Sequence, residues 1–305
     1  MTNARSASFV AILIAATFLM GSSFVAGKIL IDAGYPPMML VGWRFIVAAL
    51  ATLPLAAWRE GGLRQALLPA GLQWRDVAIA FAIGLFQTAG VMTLLFYAMR
   101  SISASSAAIL LFTNPIWVAL AGRIFLGDHL QVARVAGLAI GIVGVALALG
   151  GKFSGIGFGE IIGLGSALCW TVSTIINKRT STRFGVWALT FWQMLTGAVI
   201  VLALAYASGQ HWPAHTTPAN WWWFFYLAVP ASTGSFGLWF VALARGGATR
   251  TSSYLFLAPL FAVICSYFVL HAGLTGMQLV GGALIALAIW LVNREPAAKH
   301  DGATA

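Results

Sequence analysis

Residues 9–31 read FVAILIAATFLMGSSFVAGKILI and hold a single charge, Lys28, close to their end. A bilayer core of about 30 Å is crossed by roughly 20 apolar residues rising about 1.5 Å each in a helix, so this stretch is long enough to span. Arg5 followed by an apolar run also resembles a secretory signal. The run, however, exceeds the roughly 7–15 residues of a signal core, and similar stretches follow it. They cover 38–58, 77–98, 104–126, 132–150, 158–177, 186–207, 221–243, 251–271 and 277–293. Backbone groups in lipid have no water to bond, so runs of this length are predicted to be helices. The resulting fold class is an all-α membrane protein of ten transmembrane helices, and the links at 59–76 and 208–220 leave no room for a soluble domain.

Composition agrees. The 305 residues are 60% hydrophobic and 8% charged, with a mean hydropathy of +0.90, whereas a soluble domain carries about 25% charged residues. The net charge of +10 is spread singly and in small groups between the apolar runs, which excludes a nucleic-acid partner and reads as topology. With the N-terminus in the cytoplasm, thirteen basic residues fall inside and four (Lys28, Arg44, Arg100, Lys152) outside. Both termini are therefore predicted to be cytoplasmic, with Trp221, Trp222 and Trp223 in an external aromatic belt. Cys169 and Cys265 lie within apolar runs and are expected to be packing residues.

The chain repeats itself at a spacing of about 144–150 residues. Lys28 recurs as Lys178, Trp43-Arg44 as Trp192-Gln193, Phe96-Tyr97-Ala98 as Phe240-Val241-Ala242, Pro115 as Pro259 and Gly137 as Gly281. The halves, 1–150 and 151–305, each hold five predicted helices. An odd number forces the second half to enter the membrane with opposite polarity, giving the two inverted five-helix repeats found in secondary transporters.

Met20-Gly21-Ser22-Ser23-Phe24 with Lys28, Trp43-Arg44-Phe45, and Asn114-Pro115 ahead of Leu126-Gly127-Asp128 together resemble the drug/metabolite transporter superfamily, and within it the EamA-type ten-helix exporters. The resemblance spans nearly the whole chain. It implies metabolite export across a bacterial inner membrane, with the aromatic amino-acid exporters as the branch most similar. The acidic position after helix 4, usually Glu in that family, is Asp128 here, and its second-half counterpart is Ala272.

Ionisable groups inside a membrane are costly and mark function. All seven acids lie in loops, tails or helix ends, so gradient-driven transport is expected rather than a buried proton relay. Neutral polar and aromatic residues at mid-depth form the predicted substrate set: Ser22, Ser23, Gln87, Asn114 and Trp117 from the first half, and Trp170, Ser232, Ser235, Trp239 and Tyr254 from the second. Aromatic faces and amides suit a small neutral or zwitterionic molecule with an apolar body. For any one aromatic, helix packing or lipid contact competes with that role. Pro115 and Pro259, inside predicted helices, are the expected gating bends, with a static kink as the alternative. Pro230 lies in the same kind of position. Arg44, set several residues into helix 2, is expected to pair with a carbonyl.

The glycines of Gly137-x-x-x-Gly141 permit close helix packing, expected within one protomer. The protein is expected to work as a monomer, with a dimer left open and membrane lipid as its surround. His211 and His215 have a helical metal spacing, but Pro213 separates them, so no metal is expected. No cofactor motif and no catalytic residue set are found. A nucleophile–base pair is missing, which argues against an intramembrane enzyme, and a repeated pore motif is missing, which argues against a channel. A broad drug exporter remains the alternative. A quaternary cation, though, calls for an acid beside aromatic walls.

Overall fold

The computed structural model describes residues 2–126, 132–148, 157–239, 241–242, 253–271, 273 and 275–293. Asp128, Ala272 and Phe240 lie outside them. Its long helices are α1 (Thr2–Asp32), α2 (Pro37–Glu60), α3 (Trp74–Ala98), α4 (Ala104–Phe125), α5 (Val132–Ala148), α6 (Phe158–Arg179), α7 (Val186–Ala207), α8 (Pro218–Ala228 and its continuation to 239), α9 (Leu257–Leu270) and α10 (Gly276–Asn293). Helices α1, α2, α3, α4, α6 and α7 contain spans long and apolar enough to cross a membrane, and α9 and α10 are shorter apolar helices.

Local chemistry sets the ends. Pro37 starts α2, where its missing N–H costs nothing, and Gly61 stops it in the left-handed conformation at φ 79°. A capping box of Gln73 and Asp76 opens α3, while Ser103 and Thr217 accept backbone N–H bonds at the starts of α4 and α8. The link after α2 is not structureless, because it contains the short helix Leu63–Leu67.

The packing partners repeat across the chain. Helix α2 lies along α7 and α5 along α10; α1 packs on α9 as α4 packs on α6; α3 packs on α6 and α7 as α8 packs on α1 and α2. Exchanging each helix for the one five places on leaves this pattern unchanged.

Two irregularities also come as a pair. A π-helical turn spans Gly84–Gly90 in α3 and another spans Val229–Gly234 in α8, and both end at positions 144 residues apart. In α3 the turn meets α7 closely: a Cβ on Gly84 would stand 2.8 Å from the Gln193 carbonyl oxygen, and one on Gly197 would stand 2.6 Å from the Gly84 oxygen. Only glycine fits such a crossing.

One proline is placed differently from the sequence expectation, Pro259. Helix α4 breaks at 112–113, and Pro115 stands in the first turn of the segment Asn114–Ala121. Pro259 likewise stands near the start of α9, directly after the 3-10 turn Ser253–Phe256. Pro115 thus stands beside a bend in the middle of α4, as expected, whereas Pro259 sits in the first turn of α9 and not mid-helix; at both places a missing N–H is tolerated. Pro230 is interior to α8, as expected, and stands in its π turn; a second interior proline is Pro54 in α2, which the sequence reading passed over.

Candidate functional site

A cavity of about 470 Å³ lies between the two halves. Its wall is built from matching positions. Met20, Ser23 and Phe24 of α1 face it, as do Trp170, Ser173 and Thr174 of α6, each 150 residues on. Arg44 of α2 is matched by Gln193 of α7. Gln87, Val91, Met92 and Leu95 of α3 are matched by Ala231, Ser235, Phe236 and Trp239 of α8, and Leu111 by Leu255. The π turns carry Gln87 and Ala231 to the wall. The side-chain chemistry is not symmetric: among the described residues, the one charge in the wall, Arg44, comes from the first half, and both tryptophans come from the second.

Of the residues expected from sequence, the structure brings together Ser23, Gln87, Trp170, Ser235 and Trp239. Gln87 is half-buried and its amide has no hydrogen-bond partner among the described residues. Trp170 is held edge-on to Phe112 at 6.0 Å. Ser23 and Ser235 donate to the carbonyls of Met20 (2.6 Å) and Ala231 (2.9 Å) of their own helices.

The other five are placed elsewhere. Ser22 shares a 2.5 Å hydrogen bond with the Tyr226 hydroxyl, locking α1 to α8. Asn114 is buried and spends its Nδ2 donors on the Ala167 carbonyl (3.3 Å) and Thr171 Oγ1 (3.1 Å) of α6. A mid-depth amide needs partners, and this one finds them in the neighbouring helix rather than in a wet cavity. Trp117 Nε1 donates to Thr113 Oγ1 at 3.0 Å. Tyr254 packs edge-on to Phe9 at 6.2 Å. Ser232 is buried behind the wall, where it donates to the Leu227 carbonyl at 2.8 Å and accepts from Arg44 Nε at 2.9 Å.

Arg44 therefore pairs with a hydroxyl and not with a carbonyl. Its guanidinium stands 4.8 Å from the centre of the Phe45 ring and 5.5 Å from that of Phe96, in cation–π contact, and the residue is only 4% exposed. The sequence reading also missed Ser173, Asn177 and Gln193. Applying the repeat spacing to Ser23 and Arg44 was the signal that would have found two of them.

The two ends of the cavity differ. On one side the wall runs out through Leu189 and Thr190 to Asn177, which is exposed, and Val186, 56% exposed. On the other, the matching Leu40, Val41, Gly27 and Pro37 are all buried. A Cβ on Gly27 would stand 2.9 Å from the Phe96 ring. Lys28 Nζ donates to the Met99 carbonyl at 2.9 Å and pairs with Asp32 at 2.8 Å. Tyr35 meets Trp212 edge-on at 5.0 Å, and Gln210 Nε2 donates to the Tyr97 hydroxyl at 2.9 Å, so the link 208–220 helps cover this end.

The sequence model of the EamA-like transporter family matches the chain twice, over residues 7–150 and 157–294. A probable amino-acid metabolite efflux pump of Escherichia coli (strain K12) is 27% identical over 288 residues, 89% of this chain and 90% of that protein. The uncharacterized transporter YvbV of Bacillus subtilis (strain 168) is 28% identical over 278 residues, 88% of this chain and 86% of that protein. A solved crystal structure shares the fold at a TM-score of 0.66 and 19% identity, covering 93% of this chain and 96% of the other. Matched in both halves by one family and related along its length to transporters, the chain is a multi-pass membrane transporter, not an enzyme, and belongs to the EamA-like transporter family.

Proposed function

We propose that this protein exports small neutral or zwitterionic metabolites, amino acids including aromatic ones foremost, across a bacterial inner membrane by alternating access. In this reading ten helices span the membrane as two inverted five-helix repeats, 1–150 and 151–305. Both termini are cytoplasmic, and the exposed end of the cavity faces the cytoplasm. The observation that carries the proposal is a cavity walled at matching positions of both halves, with one end sealed and its counterpart exposed. In an inverted repeat each half can adopt the arrangement of the other, and exchanging them moves the opening to the opposite side. The half-buried Gln87 amide and the Trp170 and Trp239 rings supply orientation and apolar contact area. The wall offers no carboxylate among the described residues, which disfavours the alternative of a broad exporter of cationic drugs.

Counterflow in liposomes holding the purified protein tests this, with a panel of radiolabelled amino acids and no imposed ion gradient. Saturable exchange of aromatic or large neutral amino acids is expected, with Trp170→Ala reducing it about tenfold, the loss of one large aromatic contact. Failure of every amino acid to exchange removes the proposed cargo, and linear non-saturating flux removes the carrier mechanism.

A further inference from the structure

Among the described residues, Arg44 is the single charged one in the cavity wall. Lys28 and Arg183 pair with Asp32 and Asp76 outside the cavity, whereas Arg44 meets no acid among the described residues. A guanidinium presents five N–H donors. One of them, Nε, goes to Ser232. Its Cζ stands over the rings of Phe45 and Phe96, contacts that satisfy no N–H donor with an oxygen acceptor. The four N–H of the terminal nitrogens meet no protein acceptor among the described residues, in a residue 4% exposed. A buried cation without a counter-charge is costly, and a fork of paired N–H groups matches a carboxylate in two-point contact.

The anchoring explains the direction. Ser232 is presented by the π turn of α8 and tied to the Leu227 carbonyl, so it fixes Nε from behind and leaves the terminal nitrogens toward the cavity. The matching position in the second half is Gln193, which is neutral. The cavity thus has one cationic end, and the rings of Trp170 and Trp239 come from the opposite half.

We infer that Arg44 is the carboxylate-binding group of this cavity, and that the cargo is a monocarboxylate whose apolar body lies against Trp170 and Trp239. This rests on the reading of the cavity as the substrate site. One fixed positive charge balances one carboxylate; a phosphate dianion would leave charge uncompensated. In a zwitterionic cargo, the ammonium meets neutral acceptors such as Gln87 and Ser173, whose hydroxyl is buried without a partner.

The test uses the full-length protein in detergent, with equilibrium binding of three probes that share a phenyl ring on a short chain: 3-phenylpropionate, 3-phenylpropionamide and 3-phenylpropan-1-amine. The acid is expected to bind at least about tenfold tighter than the amide, one charge-assisted contact's worth, and the amine weakest. Arg44→Gln should bring acid and amide within about twofold of each other, Arg44→Lys should keep a reduced preference because it retains charge without the fork, and Arg44→Gln with Gln193→Arg should restore the preference from the matching position. Equal binding of acid and amide by the unsubstituted protein overturns the inference. So does an undiminished preference in Arg44→Gln, and should that variant not fold, the same result in Arg44→Lys counts against it. Absence of binding by all three probes, together with no exchange of any amino acid in liposomes, is a different result and removes the substrate-site reading itself.

Discussion

The two ends of the cavity are built from matching segments, yet one is packed and the other exposed. At the sealed end Leu40, Val41, Gly27 and Pro37 are buried and Tyr35 packs edge-on to Trp212; at the other, Leu189 and Thr190 line the cavity and Val186 meets solvent. Equivalent sequence positions thus hold two different packings in one molecule.

The largest effect to look for is accessibility. In a background with Cys169→Ala and Cys265→Ala, Leu189→Cys is expected to react with a small methanethiosulfonate reagent about 100-fold faster than Leu40→Cys, since a sealed site must first open at a cost of a few kcal/mol. Equal rates would erase the contrast between the ends. Wedging the sealed end comes next. Gly27→Leu puts side-chain atoms into the space of the Phe96 ring and the Met99 thioether, an overpacking cost of about 1–3 kcal/mol, and should raise the reaction rate of Leu40→Cys about tenfold. Unchanged reactivity in that double variant would mean that Gly27 plays no part in the seal. A smaller loosening is expected from Lys28→Met, which removes the bond to the Met99 carbonyl. A contribution of about 1 kcal/mol corresponds to a roughly fivefold rate increase, read by the same reagent.

The smallest expected effect concerns two helix crossings that match in the same way. Where α1 meets α9, a Cβ on Gly21 would stand 2.4 Å from the Ala258 carbonyl oxygen, so the helices touch backbone to backbone. At the matching crossing of α4 and α6, Asn114 bonds Thr171 instead. Interhelical hydrogen bonds in membranes contribute about 0.6 kcal/mol on average. Asn114→Ala should accordingly lower thermal stability by only a few degrees and leave the Leu189 and Leu40 reactivities in their original ratio. A collapse of that ratio would show that the Asn114 contact helps hold the two ends in different states.

Much of this was legible beforehand. The apolar runs 9–31, 38–58 and 186–207 foretold α1, α2 and α7 because length in a lipid environment leaves a helix little alternative. The repeat was visible in Lys28 and Lys178 and in Trp43 and Trp192. Half of the candidate site was not. Whether Asn114 faces a cavity or a neighbouring helix depends on helix rotation, and an almost uniformly apolar helix carries no amphipathic stripe to fix that rotation. Arg44 was seen but assigned a backbone partner, because its actual partner, Ser232, is 188 residues away and is presented by a π turn that no local pattern announced. Pro259 was placed mid-helix for a similar reason: proline is compatible with a kink and with a first turn alike.

The paired π turns also bear on ancestry. Each is a helix that has taken in an additional residue without breaking. Both lie at the same distance along their half, ending at Gly90 and Gly234, although the residues around them have diverged to GLFQTAG in one and VPASTG in the other. Two separate insertions at one equivalent place require a coincidence that a single earlier insertion does not. The extra residue is most simply placed in the ancestral half, before it was doubled, which makes this irregularity older than the two-half protein that now uses it.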